Sequence, residues 1–144
     1  MTEVNTCAEA NVLAMAADRA DHLERTVKPA LKTGELVVSD RGHDSTYAYN
    51  LHRLNRGDPE AWVDSLYSGW NVEPDLTILL DIPVETALDR MSGEEQWANR
   101  AHLQAVHEHY RQLATADRFV TVDGMRGPES VADEVADIVE DAWE

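Results

Sequence analysis

Several scarcities in the chain close off whole classes of function. Its one cysteine, Cys7, has no second thiol with which to form an internal disulfide or anchor a zinc cluster. Lysine is nearly missing, with Lys28 and Lys32 the only two among 12 basic residues. Against these stand 28 acidic residues, and the resulting net charge of -16 repels nucleic-acid phosphates and anionic membranes, so both are poor partners. No apolar run approaches the roughly 20 residues that a membrane helix needs, and the N-terminus lacks the basic-then-apolar order of a secretory leader. The expectation is a cytoplasmic protein with no internal repeat, linker or low-complexity segment.

What is present reads as one domain covering residues 1–144, with enough apolar residues for a single core. An acid-rich, lysine-poor surface stays hydrated where salt screens its self-repulsion, which predicts a high-salt organism. The histidines suggest no metal ligand: His102 and His109 stand two helical turns apart, about 10 Å, too far for two imidazoles to share one ion.

From Cys7 to Lys32 the apolar residues Val12, Met15, Ala16, Leu23, Val27 and Leu31 recur at helical spacing, and Gly34 stands where a helix stops. Glu35 to Ser39 is a short β-branched run that predicts a buried strand delivering Asp40 and Arg41 at its C-terminal end. Asp44 to Leu54 predicts a helix, and Pro59 to Tyr67 another, with Trp62 and Leu66 facing inward. Asp75 to Asp81, framed by Pro74 and Pro83, is the strongest strand signal. A short helix from Pro83 to Met91, a break at Ser92-Gly93, a helix from Trp97 to Ala114, a strand from Arg118 to Asp123 and a helix from Pro128 complete the pattern. Short apolar strands alternating with helices imply an α/β protein with a helix-covered parallel sheet, whose ligands lie beyond the strand C-termini. That rule alone puts Asp40, Arg41 and Asp81 at the site.

Three stretches, in this order, resemble the thymidylate kinase family: Ala16-Ala-Asp-Arg-Ala-Asp-His22, then Ser39-Asp-Arg-Gly-His-Asp-Ser-Thr-Tyr-Ala-Tyr49, then Pro74-Asp-Leu-Thr-Ile-Leu-Leu-Asp-Ile-Pro83. Val27 to Leu31 and Phe119 to Asp123 match as well. The resemblance implies a P-loop-kinase-like parallel sheet and the reaction ATP + dTMP to ADP + dTDP, with Mg2+ and ATP as the family's cofactors. It implies that Arg19 contacts the thymine edge, that Asp40 serves the magnesium-water shell, and that Arg41 clamps the monophosphate. Ser45, Tyr49 and Asn50 fall where the family lines the nucleoside pocket, and Arg90 where an arginine opens the lid on the ATP side. Read without the family, Arg19 is better read as a surface helix arginine paired with Asp18 or an acid a turn away, Tyr49 reads as a core tyrosine, and Arg90 reads equally as a favourable helix C-terminal cation.

The chain departs from the family pattern most at the G-x-x-x-x-G-K-[ST] phosphate loop, which its sequence does not contain, so it corresponds to roughly the C-terminal three-quarters of the family fold. Met15, Gly42 and Gln96 replace a stacking aromatic, a post-arginine aromatic and a lid basic residue. The resemblance also implies that the missing loop's strand is the central one of the sheet. The expectation is therefore doubtful ATP binding and little or no kinase activity from these residues alone. Alternatives are a non-catalytic nucleotide-binding or assembly remnant, a piece of a split kinase completed by a phosphate-loop partner chain, or a partly folded fragment. Family members also suggest a homodimer.

Overall fold

A computed structural model describes residues 7–91 and 100–143, and the chain divides after Glu73 into two units, each taken by itself. The expected break at Ser92-Gly93, the lid position Gln96 and the helix start at Trp97 lie outside the described residues. Among the described residues no helix is long and apolar enough to cross a membrane.

The first unit is helical. Helix α1 (Ala8–His22) runs through a π turn (Leu23–Val27) into α2 (Lys28–Lys32). Pro29 accounts for that turn. It has no N–H to give to the carbonyl four residues back, and its ring crowds that carbonyl, so the ladder widens and Lys28 N–H reaches Leu23 carbonyl instead. The helix stops at Gly34, as its sequence position requires: Gly34 sits at φ 79, its N–H donates to Leu31 carbonyl and that of Glu35 to Ala30 carbonyl.

Helix α3 (His43–Asn50) continues as a 3-10 turn (Leu51–Arg53), and α4 (Pro59–Tyr67) opens on Pro59 with Asp58 accepting from Ala61 N–H at 3.0 Å. Helix α1 packs against both α3 and α4. The core between them holds Val12, Ala16, Leu23, Ala48, Leu54, Val63 and Tyr67. On α4 the inward residues are thus Val63 and Tyr67 rather than the expected Trp62 and Leu66, which are half-buried. Trp62 lies under the Arg56 guanidinium, 4.5 Å from ring centroid to Cζ, and this covers its face on the outside of the helix.

The expected strand from Glu35 to Ser39 does not form. Leu36 is 54% exposed and Val38 86%, so the run neither joins a ladder nor enters the core. A β-branched run has strand propensity only where another edge takes its hydrogen bonds, and among the described residues none does.

The second unit carries a parallel pair, β1 (Thr77–Asp81) and β2 (Phe119–Asp123), in one-to-one register from Thr77 opposite Phe119 to Asp81 opposite Asp123. Parallel strands need a helical crossover, supplied here by α5 (Val84–Arg90) and α6 (Arg100–Leu113). Helix α7 (Pro128–Trp143) packs on β2 through a half-buried face of Val131, Val135, Ile138 and Val139, and its acids are exposed except Glu134, which pairs with Arg126. Val106 and Val122 are the buried centre of this unit. At the strand ends, Gly124 N–H donates to Asp81 carbonyl at 2.9 Å. A Cβ on Gly124 would stand 2.7 Å from Ile82 Cγ2, so only glycine lets the two chains approach this closely.

Candidate functional site

Arg41 marks the site by its backbone. At φ 67 it is the one non-glycine residue in the left-handed region among the described residues. An L side chain pays roughly 1–2 kcal/mol for that conformation, and such outliers gather at functional turns. The turn is held by Ser39 Oγ donating to Arg41 carbonyl at 2.6 Å, and Gly42 then leads into α3. Asp40 and Arg41 are both exposed, and the Arg41 guanidinium lies over the Tyr49 ring, 5.3 Å from its centroid.

Behind this turn α3 is buried along most of its length although it is largely polar: His43, Asp44, Ser45, Thr46 and Asn50 are all buried. A buried polar helix is tolerable only with its groups satisfied. Asn50 Nδ2 donates to Thr46 carbonyl at 2.9 Å, and its Oδ1 accepts from Asn11 Nδ2 at 2.9 Å, which ties α3 to α1. Thr46 and Tyr67 hydroxyls are 2.9 Å apart, and Tyr47 hydroxyl donates to Asp64 Oδ1 at 2.6 Å. The Tyr47 and Tyr67 rings stack 6.2 Å apart, with His43 edge-on to both.

Arg19 comes to the same place from α1. Its Nε donates to Asn71 Oδ1 at 2.6 Å and its Nη2 to Val72 carbonyl at 3.0 Å. Gly42 lies beside its Nη1, which is 3.6 Å from where a glycine Cβ would be. Burial pushes the Arg19 pKa down, while Tyr67, Asp44 and Glu73 pull it up; the guanidinium stays charged, as it does in any protein. A cleft of about 280 Å³ opens alongside, lined by Tyr47, Asp64, Tyr67, Ser68, Asn71 and Glu73.

Burial first, then the hydrogen bond to Asp64, raises the Tyr47 pKa well above its ordinary value of 10.0. A raised phenol pKa stabilises the fold in full below about pH 10, and that contribution drains away as pH climbs from there toward the folded-state value. Tyr47→Phe is therefore expected to flatten the fall of stability between about pH 10 and 12, where one titrating group contributes up to about 1.4 kcal/mol per pH unit. Denaturant unfolding of both proteins across that range measures it; parallel pH profiles would refute the assignment.

The sequence candidates thus fall into two sets. In the first unit the structure brings Arg19 beside Gly42 and Arg41 onto half-buried Tyr49, and it buries Ser45 and Asn50 in α3. In the second unit Arg90 ends α5 and is exposed, while Asp81 Oδ1 lies 2.8 Å from His107 Nε2, which donates to it. Thr46, Tyr67 and Asn71 are not among the sequence candidates, although Thr46 lies within the Ser39–Tyr49 stretch. Asn71 follows a glycine turn, and its spacing from Arg19 carries no periodic signal.

Helix-rich α/β units with a parallel sheet are consistent with a P-loop-kinase-like fold, and comparison with known proteins narrows the class. The thymidylate kinase family model matches residues 1–135. The chain is 42% identical over 127 residues to a probable thymidylate kinase of Methanoculleus marisnigri, covering 83% of this chain and 62% of that protein. It is 44% identical over 133 residues to a probable thymidylate kinase of Methanosarcina mazei, covering 88% and 65%. A third, from Halobacterium salinarum, is 37% identical over 143 residues, covering 93% and 72%. The chain belongs to the thymidylate kinase family. It spans less than two thirds of the length of the first two of these relatives.

Proposed function

We propose that these 144 residues form the dTMP-binding side of a thymidylate kinase, one domain in which both units take part. Arg19 meets the thymine edge, Ser45 and Tyr49 line the nucleoside site, Asp40 and Arg41 serve the phosphate, and Arg90 belongs to the ATP side. The observation that carries this reading is Arg19: a half-buried cation fixed at two nitrogens, with its third turned toward Gly42 in the turn that bears Asp40 and Arg41. A planar guanidinium held that way suits a carbonyl edge. Asn50, with both ends of its amide used inside the core, serves the pocket by placing α3.

The family's reaction uses ATP and Mg2+, and the described residues do not fit ATP's phosphates. Lys28 and Lys32 lie in helix α2, with Lys28 paired to Glu24. The positive-φ glycines, Gly34 and Gly69, follow helix ends rather than opening helices. Among the described residues no group of three or more potential metal ligands gathers. We therefore assign ATP binding to a phosphate-loop segment outside these 144 residues, in a longer form of the chain or in a partner chain, and expect little or no turnover without it. The acidic, lysine-poor surface fits a cell interior rich in salt and fits neither nucleic acid nor membrane as partner.

A second reading, an assembly piece completed by another polypeptide, is favoured by one feature. Leu36 and Val38 are exposed, and β1 carries exposed Leu80 with β2 as its one strand partner among the described residues. A strand from a phosphate-loop polypeptide, or a second copy in a homodimer, would cover such apolar surface. Titration calorimetry with dTMP and ATP separately in molar KCl tests the main reading. Heat from dTMP and none from ATP is the expected result; tight ATP binding without dTMP binding would overturn it. A coupled assay for ADP release reports the expected lack of turnover.

A further inference from the structure

An arginine on a helix surface samples many rotamers unless something fixes it, and in this structure Arg19 is fixed along one edge. Nε and Nη2 lie along one edge of the planar guanidinium, and both donate on that side, to Asn71 Oδ1 at 2.6 Å and to Val72 carbonyl at 3.0 Å. Nη1 is left pointing at Gly42, 3.6 Å from a glycine Cβ position. The anchor is itself anchored. Asn71 N–H donates to Tyr67 carbonyl at 3.2 Å, which extends the end of α4, and its side-chain Nδ2 donates to Glu73 Oε1 at 3.4 Å.

That second contact sets the orientation of the amide. With Nδ2 committed to a carboxylate, Oδ1 is the end that faces the guanidinium. Glu73 Oε1 also lies 3.1 Å from His43 Nε2, and His43 is the first residue of α3, next to Gly42. A line of polar contacts therefore runs from Arg19 through Asn71 and Glu73 to the start of α3, where the phosphate turn ends.

The choice of an amide has a consequence for charge. A carboxylate at position 71 would take the Nε and Nη2 fork as an ion pair and neutralise it locally. The neutral amide aims the side chain and leaves its positive charge available to a ligand's carbonyl. We propose that Asn71 is the positioning residue that presents Arg19 to the nucleobase, with the Val72 carbonyl as the second anchor. This rests on the reading of Arg19 given above as the contact to the thymine edge.

The test compares Asn71→Ala with the unmutated full chain in molar KCl, by dTMP calorimetry and by nitrogen-edited NMR of the Arg19 Nε–H, assigned through its loss in Arg19→Lys. The expected result is dTMP binding about tenfold weaker, matching one lost hydrogen bond to a charged group, together with loss of the Nε–H protection from water exchange. Unchanged dTMP affinity overturns the proposal, as does weaker binding with the Nε–H still protected. An unmutated chain that does not bind dTMP overturns the proposed function and this inference with it, whereas the first two outcomes leave the proposed function standing. If Asn71→Ala does not melt cooperatively, the unmutated chain decides: a slowly exchanging Arg19 Nε–H supports the arrangement, and a fast-exchanging one overturns it.

Discussion

Arg19→Met is expected to weaken dTMP binding by about 100-fold or more, the equivalent of two charge-assisted hydrogen bonds. Methionine keeps the length and much of the apolar stem of arginine, so the packing of α1 on its neighbours changes little, while all five donors disappear. The acids around it amplify the effect. Asp44 and Glu73 act on Arg19 through charge, and without the cation this part of the cleft becomes more negative. The comparison needs calorimetric dTMP titrations of both proteins and a check that the variant still melts cooperatively. An affinity within about threefold of the unmutated chain would remove Arg19 from the site.

Asn50→Ala is expected to cost about 2–4 kcal/mol of stability. Asn50 has no exposed surface, its Oδ1 accepts from the Asn11 amide, and its Nδ2 donates to the Thr46 carbonyl and lies 3.9 Å from Met15 Sδ. Alanine at this position takes away the acceptor of the half-buried Asn11 amide and leaves a cavity between α1 and α3. Putting leucine at both 11 and 50 should recover much of that loss, because two apolar groups of similar size leave no orphaned amide. Denaturant melts of the parent and the two variants measure this. A single Asn50→Ala variant as stable as the parent would mean that the α1 to α3 contact is looser than these distances indicate.

Much of the fold was legible because its signals are local. Pro59 at the start of α4, the proline-framed run at β1 and the 3.6-residue rhythm of α7 each act over a few residues, and each element formed within one or two residues of its expected bounds. The run from Glu35 to Ser39 failed as a strand because a ladder is a property of two edges, and the sequence shows only one. The π turn in the first helix needed Pro29 to be weighed against the residues behind it, a cost that hydrophobic periodicity does not register.

The candidate site divides the same way. Arg19, Asp40 and Arg41 stood out in motifs with order and spacing. The groups that aim or enclose them, Asn71, Tyr67, Thr46 and Glu73, act through contacts spanning tens of residues, and apart from Thr46, which lies within the Ser39–Tyr49 stretch, nothing in their own neighbourhoods distinguishes them. Asn50 was visible as a polar residue next to a matched stretch, but whether an amide faces a pocket or closes a helix interface depends on what lies opposite, and here that is Asn11.

The left-handed backbone at position 41 separates two demands that usually coincide. Glycine adopts that conformation without the Cβ penalty, and its greater freedom in the unfolded chain offsets only part of the gain. As far as folding is concerned, a residue with no side chain would serve the turn about as well as arginine does. The reason for a guanidinium at this point must therefore be sought in what it touches and not in what it stabilises. An Arg41→Gly protein should be as well folded as its parent, so any change in its nucleotide binding can be read without correction for lost structure.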